Sequence, residues 1–134
     1  MDNNTMEQVS KKNLWAGRII TTLVTLFMLF DASIHFSMIP AITQSFTQMG
    51  YALNIIRPLS VIEFISIILY IIPQTSVLGA ILLTGYLGGA VDSNVRAGAP
   101  LFSLILAPVY VGILLWLGLW LRSDKLRELT PIKK

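Results

Sequence analysis

Apart from Arg18 and Arg57 near the starts of their runs, five charged or titratable residues, Asp31, His35, Glu63, Asp92 and Arg96, stand within or at the ends of apolar runs, and their spacing sets what chemistry they can share. Asp31 and His35 are four apart, so on a helix they stack on one face. Glu63 lies in a stripe of helical period formed by Ser60, Glu63, Ile67 and Tyr70, with Ser66 at its border. Asp92 and Arg96 are again four apart and follow Gly85, Gly88 and Gly89. At ~100° per residue, Gly85, Gly89, Asp92 and Arg96 fall within roughly 60° of one another, with Tyr86 at the edge of that face. Three carboxylates therefore confront one fixed cation, Arg96, and a protonated His35 still leaves an acid unbalanced. In an apolar medium three outcomes remain open: a carboxyl holds a proton, a cation from outside enters, or Asp92 reaches water. The favoured expectation places Asp92 at the interface and lets Glu63 or Asp31 share a proton. Asp31, His35, Glu63, Tyr86, Asp92 and Arg96 are then the candidate pocket residues, with Gly85, Gly88 and Gly89 as helix-packing positions.

Several chemistries drop out. The chain has no cysteine, which removes disulfide, thiolate-metal and cysteine-nucleophile chemistry. No phosphate-cradling glycine loop, serine elbow or zinc-protease pattern occurs. No catalytic residue is assigned, and the chain reads as no enzyme on its own. One imidazole with two carboxylates suits a hard or borderline divalent ion. With a single histidine and weak spacing, however, no metal site is assigned from the sequence.

The elements that must position these residues are membrane spans. Of 134 residues, 54% are hydrophobic and only 13% charged, about half the charged share of a soluble domain. The mean hydropathy of +0.71 agrees. The length accommodates about four spans of ~20 residues. Apolar runs place them at about 14–36, 55–72, 76–95 and 101–121, a single transmembrane domain with polar tails at 1–12 and 122–134. Lys11 and Lys12 before the first run also fit a signal peptide. That run is long enough to span, though, and Asp31 and His35 stand where a small-residue cleavage site is needed. Between the first two spans, Pro40 can open a short helix and Gly50 can close it. Ile42, Phe46 and Met49 share a face there, which predicts an interfacial helix, with Tyr51 at headgroup level. The second span is the shortest apolar stretch, from Pro58 to the turn at Pro73. Pro108 lies inside the fourth and predicts a kink with one freed carbonyl. Trp116 and Trp120 suit its far interface.

Eight of the ten basic residues lie in the segment through Arg18 or after Leu121; Arg57 and Arg96 are the other two. The positive-inside rule puts both termini in the cytoplasm, so these charges mark topology rather than a nucleic-acid surface. Adjacent spans alternate in direction. Asp31, His35, Glu63, Asp92 and Arg96 then share one depth near the outer surface. A charge buried in the bilayer costs roughly 2.5–3.5 kcal/mol on insertion scales, so such residues are expected to meet one another or water.

At these residues the chain resembles the DoxX-like family of small bacterial membrane proteins. The resemblance is carried by Trp15-Ala16-Gly17-Arg18, Phe30-Asp31-Ala32, Ile62-Glu63, the run from Gly79 to Ala90, Arg96-x-Gly98-x-Pro100-Leu101-Phe102 and Pro108-Val109-Tyr110. It implies an all-α four-helix bundle in the bacterial inner membrane and a link to quinone oxidoreduction. Relatives often have histidine where this chain has Asn94, and the absence of cysteine separates it from thiol-redox relatives. Three functions follow as expectations. The first is an outward pocket for a small polar molecule, lipid headgroup or quinone head. The second is a subunit or accessory of a membrane quinone-linked oxidoreductase, with a redox partner. The third is a small proton- or ion-coupled transporter acting as a homodimer or larger oligomer.

Overall fold

The computed structural model describes residues 11–129 and is built from helices. The tail expected over 1–10, and residues 130–134 at the other end, lie outside the described residues. In chain order the helices are α1 (Lys11–Ser37), α2 (Pro40–Gln48), α3 (Ile56–Ile71), α4 (Ser76–Arg96), α5 (Ala107–Arg122) and α6 (Asp124–Leu129). Four segments are long and apolar enough to cross a membrane: Lys11–Ser37, Leu53–Ile71, Pro73–Arg96 and Leu101–Arg122. The second gains its length from a 3₁₀ turn, Leu53–Ile55, leading into α3. A chain with this composition turns the usual arrangement inside out. Phe30, Ile62, Ile81, Phe102 and Ile113 are exposed, whereas Ser60, Glu63, Ser66, Ser76 and Ser93 are buried. Acyl chains solvate apolar side chains, while polar groups must find partners inside the bundle.

The long helices form a ring in which α1 packs on α3 and α5, and α4 packs on α3 and α5. Val24, Met28, Ile67, Tyr70, Leu83 and Leu115 fill its centre. Hydrogen bonds tie the ring together. Ser60 donates to the Ala32 carbonyl (2.6 Å) between α3 and α1, and Tyr70 donates to the Leu115 carbonyl (2.7 Å) across to α5. Trp116 Nε1 donates to Thr84 Oγ1 (2.7 Å) between α5 and α4, which puts this tryptophan inside the bundle's hydrogen bonding as well as near its end. The backbones of α1 and α5 approach closely at Gly17 and Gly118. A Cβ at Gly118 would meet Thr21 Oγ1 at 2.8 Å, and one at Gly17 would meet the Gly118 carbonyl at 2.9 Å. At the α3–α4 turn, Gly79 packs directly on the backbone of Tyr70.

Within the bundle, Gly85, Gly88 and Gly89 do not serve as the expected helix-packing positions. All three are exposed, and a Cβ at any of them meets nothing within 4 Å. The fourth span also differs from a simple kinked helix. Leu101–Ile105 forms a π-helical turn, Leu106 breaks the run, and α5 starts afresh with Pro108 in its first turn. Proline has no N–H to offer the Leu104 carbonyl, and Asn94 Nδ2 donates to that oxygen instead at 2.9 Å. Asn94 thus closes the proline break from α4.

Beyond α5 the expected polar tail folds back as α6. Ser123 Oγ accepts from the Leu126 N–H (3.3 Å), an N-cap contact, and Leu126 is buried. Arg127 donates to the carbonyls of Trp120 (2.9 Å) and Leu121 (3.1 Å) and covers the Trp120 ring, so it caps the end of α5.

Candidate functional site

At the opposite end of the bundle, the last two turns of α1 bring Asp31 and His35 against α3. His35 Nδ1 lies 3.3 Å from Asp31 Oδ2 and 3.8 Å from Glu63 Oε2. Asp31 is 37% exposed, His35 18% and Glu63 not at all. Alternation of helix direction supplies the depth match, and the period of α3 supplies the aim. Ser60, Glu63, Ile67 and Tyr70 form one buried stripe, with Ser66 also buried beside it. The neighbouring Ser60 hydroxyl is committed to the Ala32 carbonyl and cannot serve Glu63.

The carboxyl of Glu63 therefore sits in the interior with no hydrogen-bond partner on either oxygen, and His35 Nδ1 also lacks one of proper geometry. The Tyr86 phenol approaches the Glu63 carboxyl from α4. Buried polar groups in folded proteins are nearly always paired, so an unpaired carboxylate at this position needs a physical cause.

A cavity of about 530 Å³ opens beside this cluster. Asp31 and His35 form its polar pole, and Tyr86 lines its wall. Apolar side chains from four helices, among them Phe27, Met28, Leu59, Leu87 and Val111, make up much of the remainder. Helix α2 roofs it with Ile42, Ser45 and Phe46, joined by Met49 just past the helix end. The apolar face of α2, expected to meet lipid, thus points into the cavity. Gly50 (φ 85°) closes α2 in the left-handed region; its N–H bonds the Thr47 carbonyl and that of Tyr51 bonds Phe46. This turn carries Tyr51 over the cavity, where its hydroxyl pairs with Ser93 Oγ at 2.5 Å. Phe46 lies edge-on to the His35 ring, with centroids 5.5 Å apart, and tilts against Tyr51. His35 is thus held at the cavity wall.

Asp92 and Arg96 do not join this cluster, which corrects the expected six-residue pocket. Both are exposed, and neither lines the cavity. The ion pairs among the described residues are those of His35 with Asp31 and with Glu63. The reason is angular: α4 presents Tyr86, Ala90 and Ser93 to the cavity, and Asp92 lies ~100° round from Ser93. Arg96 ends α4, where its charge suits the C-terminal dipole. Gly85 and Gly89 line the cavity, and Gly88 lines an apolar groove between α4 and α5. Phe46, Tyr51 and Ser93 are site residues that sequence reasoning misses. The stripe of Ile42, Phe46 and Met49 is visible in the sequence, but an apolar cavity and an acyl layer ask for the same residue types. Arg57, a loop charge in the sequence, donates to the Phe36 carbonyl (3.3 Å) and covers the Phe36 ring near the end of α1.

The arrangement can hold a head group by charge and hydrogen bonding at one pole while apolar walls take its body. It can also bind a cation or keep a proton between two carboxylates. Comparison with curated proteins and with solved structures returns no match. The four spans, the buried α3 glutamate and the α1 Asp–His pair stand within or beside a match to the model of the DoxX-like family over residues 19–118, and the chain belongs to that family.

Proposed function

We propose that this DoxX-like membrane protein is a ligand-binding protein whose cavity takes a small amphipathic molecule head first, with a quinone or quinol head as the class that fits best. One observation carries this reading: Glu63 is fully buried with no hydrogen bond on either oxygen, 3.8 Å behind the Nδ1 of His35, which together with Asp31 lines a largely apolar cavity. A quinol hydroxyl donates to a carboxylate, and a quinone carbonyl accepts from a protonated imidazole. The apolar walls suit the ring and the first part of a tail. Binding without chemistry is sufficient for this arrangement, so the protein acts as a carrier or accessory rather than as an enzyme alone.

The cavity faces the outer side of a bacterial inner membrane, and both termini are cytoplasmic. The supporting observation is the concentration of eight of ten basic residues around the termini. Because the chain lacks cysteine, single cysteines at Gln44 and Lys125 report orientation directly. A membrane-impermeant maleimide labels the first in intact cells and the second only after lysis; the reverse pattern overturns the orientation.

The binding test uses the full chain in detergent with decylubiquinol as the probe. Thermal unfolding is expected to shift upward with probe concentration, as it must for any ligand that binds only the folded state. The shift disappears in Glu63→Gln and persists in Asp92→Asn. An equal shift in wild type and Glu63→Gln, or none in wild type, contradicts the reading.

A further inference from the structure

The same cluster carries an inference about charge. Two carboxylates and one imidazole converge, with Glu63 fully buried behind the other two. With His35 protonated the group retains a net charge of −1, and with His35 neutral, −2. A divalent cation bound by Asp31, Glu63 and a neutral His35 leaves the site neutral. We infer that Asp31, His35 and Glu63 form a divalent-cation site, of the class that takes Zn²⁺ or Mn²⁺, whose open coordination positions face the cavity. This deepens the ligand-site reading by naming what would anchor the head group, and it can fail separately from it.

Three observations support the site. First, the donor set is the right kind: one imidazole nitrogen and two carboxylate oxygens suit a hard or borderline ion. Second, the candidate ligand atoms of these three residues lie within 4.8 Å of one another. Donors at about 2.1 Å from a tetrahedral ion are about 3.4 Å apart, so the widest pair must close by about 1.4 Å, which rotation of the Asp31 and Glu63 side chains can supply. Third, the Glu63 oxygens and His35 Nδ1 have no hydrogen-bond partners to surrender. Glu63 is fully buried and held next to His35, so the unpaired acid faces the other donors rather than lipid.

The surroundings match what a bound ion requires. Tyr86 stands next to the Glu63 carboxyl, where a phenol can orient a metal-binding oxygen. Phe46 packs edge-on to the His35 ring and limits its rotation. Only three protein donors are present, so one or more positions remain for water or for a ligand oxygen on the cavity side. A quinone carbonyl, or a carboxylate or phosphate head, would occupy them.

The test uses tag-free full-length protein in detergent, stripped with EDTA and passed through gel filtration after incubation with Zn²⁺ alone. Folded wild-type protein is expected to retain a single equivalent of zinc per chain. Asp31→Asn alters the most exposed of the three residues and is the variant least disruptive to folding. Its loss of affinity should exceed the about 10- to 100-fold that altering an outer-shell partner costs. Glu63→Gln should lose zinc as well, and Asp92→Asn should bind like wild type. Mn²⁺ competing for the zinc position, followed by its electron paramagnetic resonance signal, reports on the same variants independently. Substoichiometric zinc on folded wild type, or wild-type affinity in Asp31→Asn and Glu63→Gln, overturns the inference. If decylubiquinol still stabilises the stripped protein while zinc fails to bind, the cation site alone falls. If zinc binds and decylubiquinol produces no shift, the quinol reading alone falls.

Discussion

Glu63 and Arg122 are both drawn into the same bundle, towards opposite ends, and they meet different surroundings. Arg122 donates from Nε to Thr21 Oγ1 at 3.1 Å and lies over the Tyr70 ring, 5.6 Å from its centroid. Near it, Gly17 and Gly118 bring α1 and α5 into close contact, and Arg127 fills the open carbonyls of α5. Of the arginine's donors, Nη2 is buried without a partner. At the Glu63 end the carboxyl has no hydrogen bond on either oxygen, and about 530 Å³ of space stands beside its neighbours Asp31 and His35. The difference teaches how this chain divides its polar residues. At one end they fasten helices; at the other they are left available at some cost in stability.

That division predicts opposite responses to substitution. The largest effect belongs to Gly118→Val at the closed end. Its Cβ would meet Thr21 Oγ1 at 2.8 Å and Ile20 Cγ2 at 3.2 Å, so α1 and α5 must separate. Overpacking of this kind costs about 3 kcal/mol, visible as a large drop in unfolding midpoint in detergent. Tyr70→Phe comes next. It removes the 2.7 Å bond to the Leu115 carbonyl in the dry core and should cost about 1 kcal/mol in the same measurement.

At the open end the sign reverses. Glu63→Gln replaces a buried carboxylate that has no hydrogen bond by a neutral group of the same shape, while His35 keeps its closer partner Asp31, and the ligand-free protein should gain about 1 kcal/mol of stability. A loss of similar size would mean that the carboxyl fastens α1 to α3, and the contrast between the ends would disappear. The smallest effect is expected for Gly88→Ala. A Cβ there meets nothing, so only helix propensity changes, by less than about 1 kcal/mol and in the stabilising direction. A large loss in Gly88→Ala would indicate that the exposed glycine face is covered by another helix.

How much of this is legible in the sequence follows the same divide. The spans and their alternation are legible because an apolar run of about 20 residues matches the thickness of a bilayer, and alternation alone brings Asp31, His35 and Glu63 to one depth. The α3 stripe is legible for a local reason: Glu63 shares its phase with Ser60 and Tyr70. Rotation of α4 about its axis is not legible. Lipid and neighbouring helices are equally apolar, so nothing in the run from Gly79 to Ala90 says which side faces inward. Spacing alone therefore assigns Gly85, Gly88 and Gly89 to packing, and Asp92 and Arg96 to the pocket, although α4 turns Tyr86, Ala90 and Ser93 towards the cavity instead. The turn contacts are out of reach for another reason. Asn94 closing the Leu104 carbonyl depends on where the chain breaks before Pro108, and Arg57 reaching Phe36 depends on how α3 docks.

Native mass spectrometry of the protein released from membrane nanodiscs tests the division between the two ends most directly. Wild type and Arg122→Gln should each carry a small-molecule or metal adduct of the same mass, and Glu63→Gln should be bare. An adduct of equal occupancy on all three proteins, its loss from Arg122→Gln alone, or a bare wild type would contradict the assignment of the Glu63 end as the binding site.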